Sequence, residues 1–187
     1  MPPSTIFNKE KVLIAAYEIL KESGLDGLSA RNVAKRIGSS VAPVYSSFGS
    51  MERLEFAVIR YAKEELLEYC KRDFTDRPFL NIGLGVVIFA RDYPNLYRSL
   101  FIDGNRFQLI LDELLADLQG LVPTDNRLVA LAEDERSRLL NLLWIFLHGH
   151  ATLICSNLYD DDSDEHIIDN LSYTTETLVE AALSRIG

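Results

Sequence analysis

The chain has 187 residues, 48% of them hydrophobic and 25% charged, with a net charge of −9. This is the composition of an ordinary globular protein, long enough for one large or two small domains with a real core. The acidic total argues against a nonspecific coat for nucleic acid. Two cysteines, Cys70 and Cys155, stand without paired spacing, so no disulfide framework is expected and a reducing compartment is. The opening MPPSTIFNK lacks the apolar core of a secretion signal, so a cytoplasmic location is expected. Charge is unevenly spread. Residues 1–50 hold six Lys and Arg against four Asp and Glu, which is +2 and leaves −11 for the rest.

Helical periodicity dominates, with no alternating β-branched run and no Asn-Gly hairpin signal. An all-α fold is expected. Asn8 can cap a first helix with Val12, Ala15, Ala16, Ile19 and Leu20 on one face, and Gly24 can end it. Ser29 can cap a second, with Ala30, Val33, Ala34 and Ile37 at i, i+3, i+4 and i+7 and Gly38 as its stop. About two turns long, it needs neighbours to be stable.

The next passage, SSVAPVYSSFGS (39–50), contains no Lys, Arg, Asp or Glu. With Ser40 as cap, Pro43 falls in the first turn of a short third helix, where its missing N–H costs little. Val44 and Phe48 share a face and can pack inward. Gly49 ends this helix, and Ser50 caps a fourth over about 51–71. Two short helices about a glycine turn form a helix-turn-helix pattern, whose last helix enters a DNA major groove. Small exposed positions there permit close approach, serine hydroxyls can bond bases or phosphates, and Ala, Val and Pro can touch thymine methyls. A helical corner in any all-α protein uses the same small residues, so the pattern alone leaves both readings open.

After a polar break at 73–78, helices are expected over about 79–92, 93–101 and 105–118. A long helix, nearly apolar all round in its middle, spans about 133–158, and a last one spans about 166–186. Asn141, His148, His150, Ser156 and Asn157 argue against the long helix crossing a membrane and for its burial between the core and a partner chain. His148 and His150 are about 200° apart around a helix, so they do not form a metal pair of i, i+4 type. The acidic run 160–165 lacks the Gly and Glu of a calcium loop at its sixth and twelfth places and reads as a solvated cap for the last helix.

The stretch LSARNVAKRIGSSVAPVYSSFGSMERL (28–54) resembles the DNA-binding motif of the TetR/AcrR family of bacterial transcriptional regulators. The matching positions are Ser29, Arg31, Val33, Ala34, Gly38, Tyr45, Phe48 and Ser50, and the likeness extends over about 8–70. The resemblance implies that Tyr45 and Arg31 contact a phosphate or base, and that Ser29 holds a phosphate from its cap position. It implies that Val41, Ala42 and Pro43 face the bases, that Ser46 and Ser47 reach the DNA backbone, and that Ser40 is a DNA-binding residue as well. Met51 stands where the family usually has a phosphate-binding lysine. FARDYPNLYRSLF (89–101) resembles a helix-corner-helix of many members, and Trp144, His148 and Gly149 resemble the W-x-x-x-H-G signature of one C-terminal subclass.

The expected protein is therefore an all-α regulator with a helix-turn-helix domain at 1–50, a linking helix at 51–71 and an effector-binding and dimerisation domain at 72–187. It would bind palindromic operator DNA as a homodimer through its last two helices, most simply as a repressor released by a small molecule. Phe89, Tyr97, Phe107, Trp144 and His148 would line the effector pocket. No cofactor, metal, membrane or enzymatic activity is expected. A family-like protein that has lost DNA binding and serves as an interaction or ligand-sequestering module is the alternative, kept open by Met51 and the sparse charges.

Overall fold

The computed structural model describes residues 9–103 and 105–185, so the expected cap Asn8 lies outside the described residues. Among them are nine α-helices joined by turns and short 3-10 segments, and no strand. They are α1 (Lys9–Gly27), α2 (Ala30–Ile37), α3 (Ala42–Phe48), α4 (Met51–Cys70), α5 (Pro78–Asp92), α6 (Pro94–Phe101), α7 (Gln108–Leu121), α8 (Glu133–Cys155) and α9 (Asp164–Leu183). The chain divides into two compact units, Met1–Lys63 with Asn95–Ile110, and Glu64–Pro94 with Leu111–Gly187.

In the first unit α1 packs against both α2 and α3. Val12, Ala16, Leu20, Val33, Val44 and Leu54 are fully buried there. Gly24 was the expected end of α1. Its backbone does leave helical geometry (φ 66°, ψ −167°), a left-handed φ that a side chain disfavours, but one more turn follows to Gly27. Two carbonyls just before the break are met from elsewhere in the unit. Asn95, at the start of α6, donates its amide to Lys21 O at 3.1 Å and Glu22 O at 2.9 Å. A distant side chain thus satisfies groups that a helix end leaves open. Arg106 pairs with Glu55 at 2.7 Å, and the Phe56 and Phe107 rings meet edge to face at 5.1 Å, fastening the 3-10 turn Asn105–Phe107 to α4.

The second unit is organised on α5. Every residue from Phe79 to Ala90 is buried, and the helix packs against α8 and α9. A helix apolar on all faces belongs at the centre of a bundle. Two glycines set its packing distance. A Cβ on Gly83 would come within 3.2 Å of Leu147 Cδ2 on α8, and a Cβ on Gly85 within 2.5 Å of both Cys70 Cα and Cys70 N, at the end of α4. Around this core Glu176 on α9 accepts from Arg127 at 2.7 Å and from Arg77 at 3.5 Å, while Asp125 also holds Arg127 at 2.7 Å.

The last two helices begin and end differently from expectation. α8 stops at Cys155, before the expected 158, because Asn157 takes a left-handed conformation (φ 52°). α9 starts earlier than expected, since Ser163 accepts from His166 N and so acts as its cap. Arg91 holds the entry to α9 by donating to Asp162 O at 3.0 Å and pairing with Asp164. By length and composition α8 could cross a membrane. In this fold 44% of its most apolar window is buried, with Leu143, Leu147 and Ala151 turned inward.

Candidate nucleic-acid interface

The geometry of residues 29–50 follows from local capping. Ser29 has extended backbone geometry and its Oγ accepts from Asn32 N at 3.2 Å, which starts α2. Gly38 is left-handed at φ 70°, and the amides of Gly38 and Ser39 close the helix end on Lys35 O and Ala34 O. α3 begins one residue later than the serine cap implies. Val41 is its N-cap residue, with no side-chain bond, while Ser40 Oγ accepts from Ala42 N at 3.4 Å. Pro43 sits in the first turn as expected. Ser50 Oγ accepts from Arg53 N at 3.2 Å at the start of α4.

Only Val44 and Phe48 of α3 are buried, anchoring it to α1 and α2. Its remaining face is open. Val41 is 43% and Tyr45 47% exposed; Ala42 and Ser46 are exposed, and Pro43 and Ser47 half-buried. Arg31 on α2 is exposed as well, and Ser29 is half-buried. The nine residues singled out from sequence for DNA therefore all lie in or beside one helix-turn-helix, seven of them between 40 and 47.

Several polar groups near this face are already engaged. Asn32 donates its amide to Gly27 O at 2.7 Å. Arg36 pairs with Glu22, a hydrogen bond that holds the Glu22 carboxyl below the usual carboxylate range and raises the guanidinium. Lys35 lines a groove of about 390 Å³ between α1 and α2 with Glu22 and Arg36. Ser46 Oγ donates to Pro43 O at 3.2 Å. Lys9 lies 5.1 Å from the Phe48 ring centre. The bond from Ser46 to Pro43 O is local, but the pairing of Glu22 with Arg36 does not follow from sequence spacing, since they sit on different helices.

The five residues expected at an effector pocket fall into two groups. Tyr97 and Phe107 are fully buried in the first unit and Phe89 in the second. Trp144 and His148 are half-buried one turn apart on α8, edge to face at 4.3 Å, and burial pushes His148 down to about 4. Gly149 is exposed, and a Cβ on it would meet nothing within 4 Å. None of the five lines the α1–α2 groove or a second cavity, on α8 and α9.

That second cavity, about 510 Å³, is lined by Ile145, Phe146, His150, Leu153, Tyr159 and Tyr173 among others. Ile145 and Tyr173 are 71% and 81% exposed, an open apolar face. His150 is buried, and its Nε2 is one of two buried side-chain polar atoms without a partner among the described residues. Its ring lies 4.5 Å from Tyr159; burial lowers its pKa, with a further push from His166. Spacing had separated His150 from His148 but had not found Tyr159 and His166 beside it.

A short helix held by two apolar residues, after a left-handed turn, with its outer face free, defines a protein of the helix-turn-helix type. Residues 12–58 match the family model described as bacterial regulatory proteins, tetR family. The chain is 22% identical over 189 residues to a Bacillus subtilis strain 168 protein described as the uncharacterized HTH-type transcriptional regulator YobS, covering 98% of this chain and 96% of that one. It is 26% identical over 158 residues to the HTH-type transcriptional regulator RutR of Escherichia coli K12, covering 76% and 73%. Two solved structures from Rhodococcus sp. RHA1 share the fold. One, a protein described as of unknown function, has a TM-score of 0.72 at 18% identity over 97% of this chain and 98% of its own. The other, a transcriptional regulator, has a TM-score of 0.63 at 20% identity over 93% and 97%. The family match thus falls on the helix-turn-helix and the start of α4, while the solved structures share the fold of nearly the whole chain.

Proposed function

We propose that the protein is a homodimeric, cytoplasmic transcriptional repressor that binds a palindromic operator and is released from it by a small molecule. The observation that carries the DNA-binding part is α3, fixed by Val44 and Phe48 with Val41, Ala42, Tyr45 and Ser46 left open. Ser29, Arg31 and Tyr45 take the phosphate and base-edge contacts, and Ser46 and Ser47 the backbone. Residues 1–50 carry this role, 51–71 link, and 72–187 dimerise and bind effector.

The second copy belongs on α8 and α9. Leu142, Ile145, Phe146 and Leu153 of α8 and Tyr173 of α9 are exposed, which a lone chain would leave as a wet apolar face. Two-fold pairing covers it and sets two recognition helices about 34 Å apart, one turn of DNA. The effector region includes Trp144 and His148, consistent with the W-x-x-x-H-G subclass. Phe89, Tyr97 and Phe107 are fully buried, so a ligand that reaches them must open the core. The ligand acts by binding the DNA-released conformation more tightly; equal affinity for both would shift nothing.

Selection of sequences bound by the purified protein from a random duplex pool, at two salt concentrations, tests this reading. An enriched palindrome is expected. A pool that stays random at low salt overturns it, in favour of a related fold without DNA binding.

A further inference from the structure

We infer that this protein reads its half-site mainly through thymine methyl groups, with Val41, Ala42 and Pro43 as the reading surface. The inference rests on the DNA-binding function proposed above. Hydrogen-bonded base readout in the major groove is done chiefly by Arg, Lys, Asn, Gln, Asp and Glu. Residues 39–50 contain none of them. The nearest amide, Asn32, is spent on Gly27 O, and Arg36 is spent on Glu22. Ser46 donates to Pro43 O, so in this arrangement it turns an acceptor outward. Between the hydroxyls of Ser40 and Tyr45, what the exposed start of α3 offers is hydrocarbon.

That surface is costly in isolation and fits one groove feature. Val41 keeps 43% of its surface in water although it stands beside a buried core, and Ala42 next to it is exposed too. The C5-methyl of thymine is the apolar group that a base pair presents in the major groove. A methyl that meets Val41, Ala42 or Pro43 leaves water on both sides of the contact. The absence of long side chains on α3 lets the helix come close enough for it. Arg31 and Tyr45, both exposed, supply the polar flanks that fix register.

Deoxyuridine tests the inference, because it differs from thymidine by that methyl alone and keeps every hydrogen-bonding group. The duplex recovered from the random pool is remade with each dT replaced in turn by dU, and binding is measured at two salt concentrations. At one or more positions in each half-site affinity is expected to fall about fourfold, the worth of burying one methyl. The ratio should be the same at both salts, unlike a phosphate contact. In the Val41→Ser variant, whose serine is a favourable cap for α3, sensitivity to dU should vanish at one of those positions while the others keep it. That pattern ties a particular methyl to a particular side chain and separates contact from altered DNA stiffness. Tight palindromic binding indifferent to dU at every position overturns the methyl readout and leaves the regulator standing. A palindrome read at G·C pairs alone does the same. No retained DNA at low salt overturns both.

Discussion

α3 and α5 are opposite solutions to the use of a helix. α5 gives all its faces to the interior, from Phe79 to Ala90. α3 gives up two residues, Val44 and Phe48, and keeps the rest open. Burial makes α5 intolerant of added atoms; a small anchor makes the outside of α3 almost free of structural duty. Stability falls to α5 and, on the function proposed above, recognition falls to α3, so substitutions should separate the two cleanly.

Gly85→Ala should break the comparison at its strongest point. The new Cβ would lie 2.5 Å from the Cys70 backbone, which cannot swing aside as a side chain can. A loss of about 3 kcal/mol or more is expected, or failure to fold, read as the midpoint of denaturant unfolding. Tyr45→Ala is the counterpart. Its unfolding midpoint should move by no more than about 0.5 kcal/mol, while operator affinity drops about tenfold, or about 1.4 kcal/mol. An unchanged affinity would displace Tyr45 from the interface.

The pH response sharpens the contrast on α8. Burial holds His148 at about 4, so the folded chain favours the neutral ring. The stabilisation is complete above the ordinary value of 6.5 and is lost as pH falls towards 4, because the unfolded chain takes up the proton first. With the ring partly exposed, about 1 kcal/mol is expected between pH 7.5 and 5. His148→Gln should flatten that part of the profile, and an identical slope in the variant would remove His148 as its source. The smallest effect belongs to Met51→Lys at the half-buried start of α4. A cation there should steepen the log–log salt dependence of operator binding by about 0.9. A slope that does not change means that this position faces no phosphate.

Much of this division was legible in the sequence. The caps Ser29 and Ser50, the stop at Gly38, the inward pair Val44 and Phe48 and the apolar centre of α8 all arise from local spacing, and the helices came out within a few residues. What stayed hidden depends on side chains far apart in the chain. Asn95 against Lys21 and Glu22, Arg36 against Glu22, and His150 against Tyr159 and His166 have no periodic signature. The aromatics chosen for an effector pocket show the same limit. Helical spacing marks Phe89, Tyr97 and Phe107 as inward, and inward residues fill a core as readily as they line a cavity.

The Asn95 amide bears on how portable the proposed DNA-reading head is. A fragment that stops at residue 71 retains every residue assigned to the operator, yet leaves the carbonyls of Lys21 and Glu22 without their partner and the Phe56 ring without Phe107. A hybrid regulator built by exchanging heads would have to carry 95–110 along with the first sixty-odd residues. Interchangeable parts, in this chain, do not coincide with contiguous sequence.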